Sequence, residues 1–386
     1  MEVTALHWVM CGAASVPVLV LAIESLLGSY GAPSSTAANH PPPVTVLMPA
    51  HDEASGIERA VGDVLAQLRT GDELIVVADN CSDDTAVLAA RLGARVVVRN
   101  ECDHRGKGYA LEFGSRHVAS DPNVVIIIID ADCSPEPGAI HQIATTAANL
   151  NAVVQGAYLL TPGSGSSAMV RISCFAFLLK NLVRQRALSR LAGAVLLQGS
   201  GMAFPYPIFK RVDWHAGSLV EDLELGMDLL LSGNRVVFDD AALFTSKASS
   251  QKGTVGQRRR WEHGALLSMR QFAPRLICAG VLGRPRLLVL ALDQLVPPTA
   301  LLIAVTVSVA LLALLLGGST TPLMTLVACL LLLGAGILVA WLRYGRSFVP
   351  VAMLPEAIRY IFWKVPIALQ FVTRRERNWV RTGREP

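Results

Sequence analysis

The 386-residue chain has no CxxC pair and no Cys or His spacing of the zinc-binding kind, so its seven cysteines read as small apolar residues of a reducing compartment. It has no GxGxxG after a strand and no GxxxxGK[ST]. Dinucleotide-type and Walker-type phosphate loops are therefore excluded. No Lys or Arg precedes Arg59, which leaves the N-terminal apolar stretch without the basic region that opens a secretory signal. The net charge of +4 is too mild to argue for nucleic acid as a partner.

What the chain does have is apolar length. Mean hydropathy is positive, and three stretches are long enough to cross a bilayer. Trp8 to Leu27 makes residues 1–30 an N-terminal transmembrane helix, weakened by Pro17 and Glu24. Leu287 to Leu316, bent near Pro297-Pro298, and Leu323 to Trp341 make two more within 276–346. The Ser-, Ala- and Pro-rich residues 31–43 read as a linker. Residues 44–275 alternate short apolar runs with amphipathic helical stretches, and 347–386 read as an interfacial helix with a basic tail. Met169 to Gly193, with five basic residues among apolar ones, reads either as an interfacial helix or as an ordinary surface helix. Arginines flank the last two spans on the side away from their short loop. By the positive-inside rule this predicts a multi-pass protein of the cell (inner) membrane with the 44–275 domain in the cytoplasm, in contact with membrane lipids.

Within 44–275 the alternation predicts βαβ crossovers and a mostly parallel sheet. The central strand is Val124 to Ser134, an unbroken β-branched run that ends in Asp130-Ala131-Asp132. Two hard oxygen ligands at the carboxyl edge of such a sheet suit Mg2+ or Mn2+ bound to phosphate. A turn leading into the next helix is the alternative, because Ser134, Pro135 and Pro137 also suit a helix start. The strands at 44–50 and 73–80 likewise end in carboxylates, Asp52 with Glu53 and Asp79. Lys107, in a Gly-flanked turn, offers a counter-charge for phosphate, with a plain turn as the alternative. Gln198-Gly199-Ser200-Gly201-Met202 is a turn where backbone can approach a ligand. Glu221-Asp222 opens a helix. In Gln257-Arg258-Arg259-Arg260-Trp261, the arginines suit a diphosphate and the Trp face suits a sugar ring.

In this order the pieces PAHDE (49–53), VADNCSDDT (77–85), GKGYAL (106–111), DAD, ED and QRRRW resemble the membrane-bound family 2 glycosyltransferases, the cellulose, hyaluronan and poly-N-acetylglucosamine synthases with their D, D, D, QxxRW signature. The resemblance implies an α/β fold of GT-A (Rossmann-like) type that binds a nucleotide sugar, usually of uridine, with Mg2+ or Mn2+. It implies that Pro49, Asp52, Glu53 and Asp79 hold the nucleoside, with Lys107, Arg259 and Arg260 on the donor. Asp130 and Asp132 would organise metal and diphosphate, Asp132 as the direct ligand and Asp130 towards the ribose. Asp222 would be the general base. Gln198, Gly199, Ser200, Gly201, Glu221, Gln257 and Trp261 would hold the acceptor. The implied reaction is inverting transfer to a growing polysaccharide. Its alternative is a single addition to a lipid acceptor such as a polyprenyl phosphate or a ceramide-like lipid. The few spans after the domain leave room for a homo-oligomer or an export partner. A membrane-anchored scaffold with merely structural carboxylates is the reading outside enzymes.

Overall fold

The computed structural model describes residues 2–31, 41–214, 218, 220–249, 251–317 and 320–373. Most of the linker and the basic tail lie outside the described residues. The chain divides into two compact units, one built from residues 32–163 and 194–248 and the other from 1–31, 164–193 and 249–377. Of the expected domain 44–275, residues 164–193 and 249–275 group with the apolar helices.

The first unit is organised on an eight-stranded sheet: β1 Val44–Ala50, β2 Glu73–Asp79, β3 Arg95–Arg99, β4 Val125–Ile128, β5 Cys133–Pro135, β6 Val153–Thr161, β7 Met202–Pro205 and β8 Val236–Lys247. Their order is β3-β2-β1-β4-β7-β6-β8-β5. The first four run parallel. β7 lies antiparallel between β4 and β6, β8 is parallel to β6, and β5 is antiparallel to β8. The reading of a buried central strand holds, since every residue of β4 is buried. It is shorter than the apolar run because Cys133 N–H donates to Asp130 O at 2.9 Å, closing a turn that sends the chain away into β5.

Two local features shape the carboxyl edge of this sheet. Helix Lys107–Ser115 packs on β1 and β2. It comes close only because Gly114 has no side chain, for a Cβ there would stand 2.6 Å from Val77 and 2.8 Å from Leu47. Pro49 occupies a central strand, where a missing N–H normally costs a ladder bond. Leu47 O accepts from Ile129 N–H at 3.2 Å, so Leu47 faces β4, and Pro49, two residues on, faces the same side. The paired residues of β1 and β4 end at Leu47 and Ile128, so Pro49 costs no bond.

The second unit is helical. Thr4–Gly28 and Thr320–Gly345 are long and apolar enough to cross a membrane. Arg286–Gln294 and Thr299–Leu315 meet at 77°, with the break at the expected Pro297-Pro298, and would form a third span if joined. Helix 2–28 packs on helix 320–340 and on Thr299–Leu315 through Val18, Leu21, Ala22, Leu302 and Leu333. Residues 168–192 form two α-helices joined by a π-helical turn, Leu179–Arg184. They differ from an ordinary surface helix in packing against helices 2–28 and 286–294, which buries Asn181, Gln185 and Arg186. At the end of the π turn Arg184 bridges two buried carboxylates, Glu24 at 2.8 Å and Asp293 at 2.5 Å. Glu24, which weakens the first span in sequence, here ties that helix to the one that carries Asp293. Helix Glu356–Thr373 packs on helices 251–281 and 299–315, and its Lys364 pairs with Glu262.

Candidate active site

β1 and β2 each leave the sheet through a left-handed residue, Asp52 (φ 52°) and Asn80 (φ 51°), a conformation that Asp and Asn tolerate better than other side chains. That geometry fans the two strand ends into a pair of interlocked loops. Asp52 accepts from Ser82 N–H at 2.6 Å and from its hydroxyl at 3.1 Å. Burial pushes the Asp52 carboxyl up, but the Ser82 bonds and the neighbouring His51 outweigh it and leave it below its ordinary value. Glu53 N–H donates to Thr85 Oγ1 at 2.7 Å, and the His51 ring donates through Nδ1 to Asp79 O at 2.7 Å. Asp52, Cys81 and Asp83 offer three ligand atoms within 4.8 Å of one another. Asp83 is already engaged by Ala54 N–H and Thr85 N–H, so this group reads as a self-satisfied turn.

Asp79 is buried at the end of β2, where Arg99 at the end of β3 donates to it at 2.6 Å and Asn80 Nδ2 at 2.9 Å. Arg99 escaped the sequence reading. Its signal was available in the register, for Asp79 and Arg99 are paired residues of adjacent parallel strands.

The acidic centre forms where β4 ends. Lys107 Nζ lies 2.5 Å from Asp130 Oδ1 and donates to Gly199 O at 2.6 Å. Burial works against its charge, but Asp130, Glu221 and Asp222 outweigh that and raise the ammonium above its ordinary value. Glu221 and Asp222 open helix Glu221–Leu231. Burial, and then the adjacent Asp222, push the Glu221 carboxyl up to about 7. Asp132 adds its charge to Asp130 from the turn after β4.

The Gln198 to Met202 turn is fixed beside these groups by bonds the sequence did not announce. Ser200 Oγ accepts from Asp130 N–H at 3.1 Å, and Gly201 N–H donates to Ile128 O at 2.9 Å. Gln155, fully buried on β6, accepts from Gln198 N–H at 2.8 Å and donates to Ser200 O at 2.8 Å. A lone Gln in an apolar strand gives no sign of this task. Gly199 has φ +91°, and a Cβ on it would stand 3.0 Å from Asp222 Oδ2 and 3.2 Å from Lys107 Nζ. The turn is therefore glycine because its backbone runs against the charged cluster. Lys107, Glu221 and Asp222 line a narrow recess here together with Met202, Trp214 and Leu225.

Lys107, Asp130, Asp132, Gly199, Ser200, Gly201, Glu221 and Asp222 are thus brought to one place, and Pro49, Asp52, Glu53 and Asp79 line the adjoining ends of β1 and β2. The QRRRW string belongs to the helical unit, on helix Gln251–Val281. Arg259, Arg260 and Trp261 are half-buried there, while the side chain of Gln257 lies outside the described residues. Arg258 departs from the expectation that all three arginines face a diphosphate. It is buried, 4.8 Å from the Trp261 ring centroid and 5.6 Å from that of Phe177, and donates to Ser173 O at 3.2 Å. It braces Trp261 instead.

Comparison with known proteins gives the same direction. Residues 41–264 match the family described as glycosyltransferase like family 2. The chain is 36% identical over 100 residues to an uncharacterized glycosyltransferase of Mycobacterium bovis, covering 26% of this chain and 41% of that one. It is 24% identical over 233 residues to the poly-beta-1,6-N-acetyl-D-glucosamine synthase of Staphylococcus aureus, covering 57% of this chain and 54% of that one. The chain thus spans about half the length, or less, of these curated relatives. Among solved structures, the mannosyltransferase PcManGT of Pyrobaculum calidifontis, in complex with GDP-Man and Mn2+, superposes with a TM-score of 0.62 at 18% identity, covering 97% of this chain and 100% of that one. That likeness establishes the fold as GT-A-like. With the match spanning more than half of its length, this chain belongs to glycosyltransferase family 2.

Proposed function

We propose that this protein is an inverting, metal-dependent transferase that moves a sugar from a nucleotide sugar, UDP-linked in the leading reading, to a growing polysaccharide at the cytoplasmic face of the membrane. The observation that carries it is the acidic cluster around Lys107. Three carboxylates, Asp130, Glu221 and Asp222, gather about one ammonium, and Asp132 adds a fourth charge beside Asp130. Such an excess of hard oxygen ligands fits a divalent cation, which Asp130 and Asp132 would hold. When bound, Mg2+ or Mn2+ would neutralise charge on the departing diphosphate.

The chain's own residues supply the rest. Pro49, Asp52, Glu53 and Asp79 frame the nucleoside, and Arg99 keeps Asp79 fixed. Lys107, Arg259 and Arg260 offer cationic charge to a leaving group that becomes more negative as the bond breaks, so they favour the transition state over the ground state. Asp222 takes the proton of the acceptor hydroxyl as that oxygen attacks the anomeric carbon, a contribution of about 10²- to 10⁴-fold. Glu221, neutral below about 7, can donate a hydrogen bond to an acceptor oxygen while Asp222 accepts one. Gln198 to Gly201 position the acceptor, and the QxxRW resemblance gives Gln257 and Trp261 the same task.

The exposed apolar side chains of helices 299–315 and 320–340, among them Leu311, Leu314, Leu331 and Leu338, support a membrane location. Arg284, Arg286, Arg343 and Arg346 around those helices support the cytoplasmic face, with membrane lipids as partners. A homo-oligomer or export partner completes the polymer-building reading.

The test is diphosphate release by the purified protein over a panel of UDP- and GDP-sugars, with Mn2+, with Mg2+ and with EDTA. Activity with one donor, lost in EDTA and reduced at least about 100-fold in Asp222→Asn, is the expected result. Full activity in both EDTA and Asp222→Asn would overturn it. Product length on the same reaction separates the acceptor classes, since a single organic-soluble product would replace the polymer by a lipid acceptor.

A further inference from the structure

Lys107 is placed oddly for a residue whose task is to meet a phosphate. It is the first residue of helix Lys107–Ser115, and its Nζ is spent on Asp130 Oδ1 at 2.5 Å and Gly199 O at 2.6 Å. Both partners belong to the protein. The ammonium sits where the negative charge of Asp130, Glu221 and Asp222 converges, and the missing Cβ of Gly199 leaves the room it occupies.

We propose that Lys107 is a built-in stand-in for the divalent cation. In the donor-free protein its ammonium neutralises the cluster, and it leaves Asp130 for the donor's diphosphate when the nucleotide enters with metal. This rests on the reading of Asp130 and Asp132 as the metal-holding pair. A divalent cation on Asp130 would stand within ion-pair reach of Nζ, and two cations at that distance repel strongly in a half-buried site. Lys107 and metal therefore compete for the same carboxylate. A nucleoside diphosphate ends the competition, because it gives the ammonium a new anionic partner. The lysine stem has four rotatable carbons, so the transfer needs no movement of the helix that carries it.

Two consequences follow in binding. Metal alone binds weakly, since it must evict a bonded ammonium from a half-buried carboxylate. Metal and nucleotide bind with positive coupling, and Lys107 is the source of that coupling.

Mn2+ titration of the full chain in detergent, followed by the electron paramagnetic resonance of free Mn2+, tests this without any turnover. Without nucleotide, Lys107→Met is expected to bind Mn2+ about ten-fold tighter than the unsubstituted protein, equivalent to about 1.4 kcal/mol. Adding UDP or GDP should tighten Mn2+ binding in the unsubstituted protein and change it little in Lys107→Met. Lys107→Arg, which keeps the charge, should follow the unsubstituted protein. The melting temperature of Lys107→Met should also rise more with Mn2+ alone than that of the unsubstituted protein. If Lys107→Met does not fold, Lys107→Gln takes its place, since its amide can still donate to Gly199 O. Mn2+ affinity unchanged or weakened in the uncharged variant overturns the proposal. Failure of the underlying metal reading looks different: the unsubstituted protein with UDP or GDP would then show no Mn2+ binding that Asp132→Asn removes.

Discussion

Glu221 and Asp222 are neighbours in sequence, both half-buried in the first turn of one helix. For Glu221 the ordinary value of 4.5 becomes about 7 in the folded protein. A raised carboxyl means that the folded state holds its proton where the unfolded chain has lost it. Its stabilising contribution is therefore present in full below pH 4.5 and is lost as pH rises through about 7. Glu221→Gln keeps the shape and removes the titration. In nucleotide-free protein with EDTA, the melting temperature of the unsubstituted protein should fall relative to Glu221→Gln between pH 5 and pH 7 and run parallel above about pH 8. Parallel curves throughout would show that Glu221 is ionised like an exposed carboxyl.

At the scale of elements, two short pieces carry more than their length suggests. One is the turn of Gly199, held by Gln155 from β6 and by Asp130 N–H through Ser200. Gly199→Ala would force a left-handed φ on an L residue, at a cost of about 1–3 kcal/mol, and would press a methyl on Asp222 and Lys107. Turnover should fall far more than the melting temperature suggests, while nucleotide affinity, read by calorimetry, changes little. The other piece is the π-helical turn that ends in Arg184. Arg184→Met would leave Glu24 and Asp293 buried without their cation, a loss of about 3–5 kcal/mol measurable by unfolding in micelles. Adding Glu24→Gln and Asp293→Asn to that variant should recover most of it. No recovery would mean that the three residues do not act as one group.

These elements also show where sequence was enough and where it was not. The β1, β2 and β4 strands were legible because each is an apolar run ending in Asp, and the motif order DAD, ED, QRRRW was legible because it is linear. β5, β6 and β7 were not, since two of them are short and their partners are distant or antiparallel. The bond of Lys107 to Gly199 spans 92 positions, and that of Gln198 to Gln155 spans 43. Neither residue type announces such a partner. Arg258 was misread for a related reason: a basic string looks solvated until a Phe from another helix is found beneath it.

At the scale of the whole molecule, the candidate membrane spans all belong to the helical unit. Helices 2–28 and 320–345 meet the length and apolarity of membrane spans, and the bent pair offers a third. The protein should accordingly pellet with membranes, resist extraction by alkaline carbonate and be released by detergent. Release by carbonate alone would make these helices a soluble bundle and remove the cytoplasmic-face assignment with it.

Pro49 has a consequence for the mouth of the cleft. A parallel sheet tends to zip onwards wherever two strands still have free donors and acceptors, and at the end of β1 one proton is missing. Past that point the β4 ladder would lack one bond, the one that Pro49 has no N–H to make, even if the turn at Ala131 were straightened. The opening beside Asp130 is thus kept by the turn that carries the chain away after β4, and the absent hydrogen of Pro49 lowers the gain from knitting it shut.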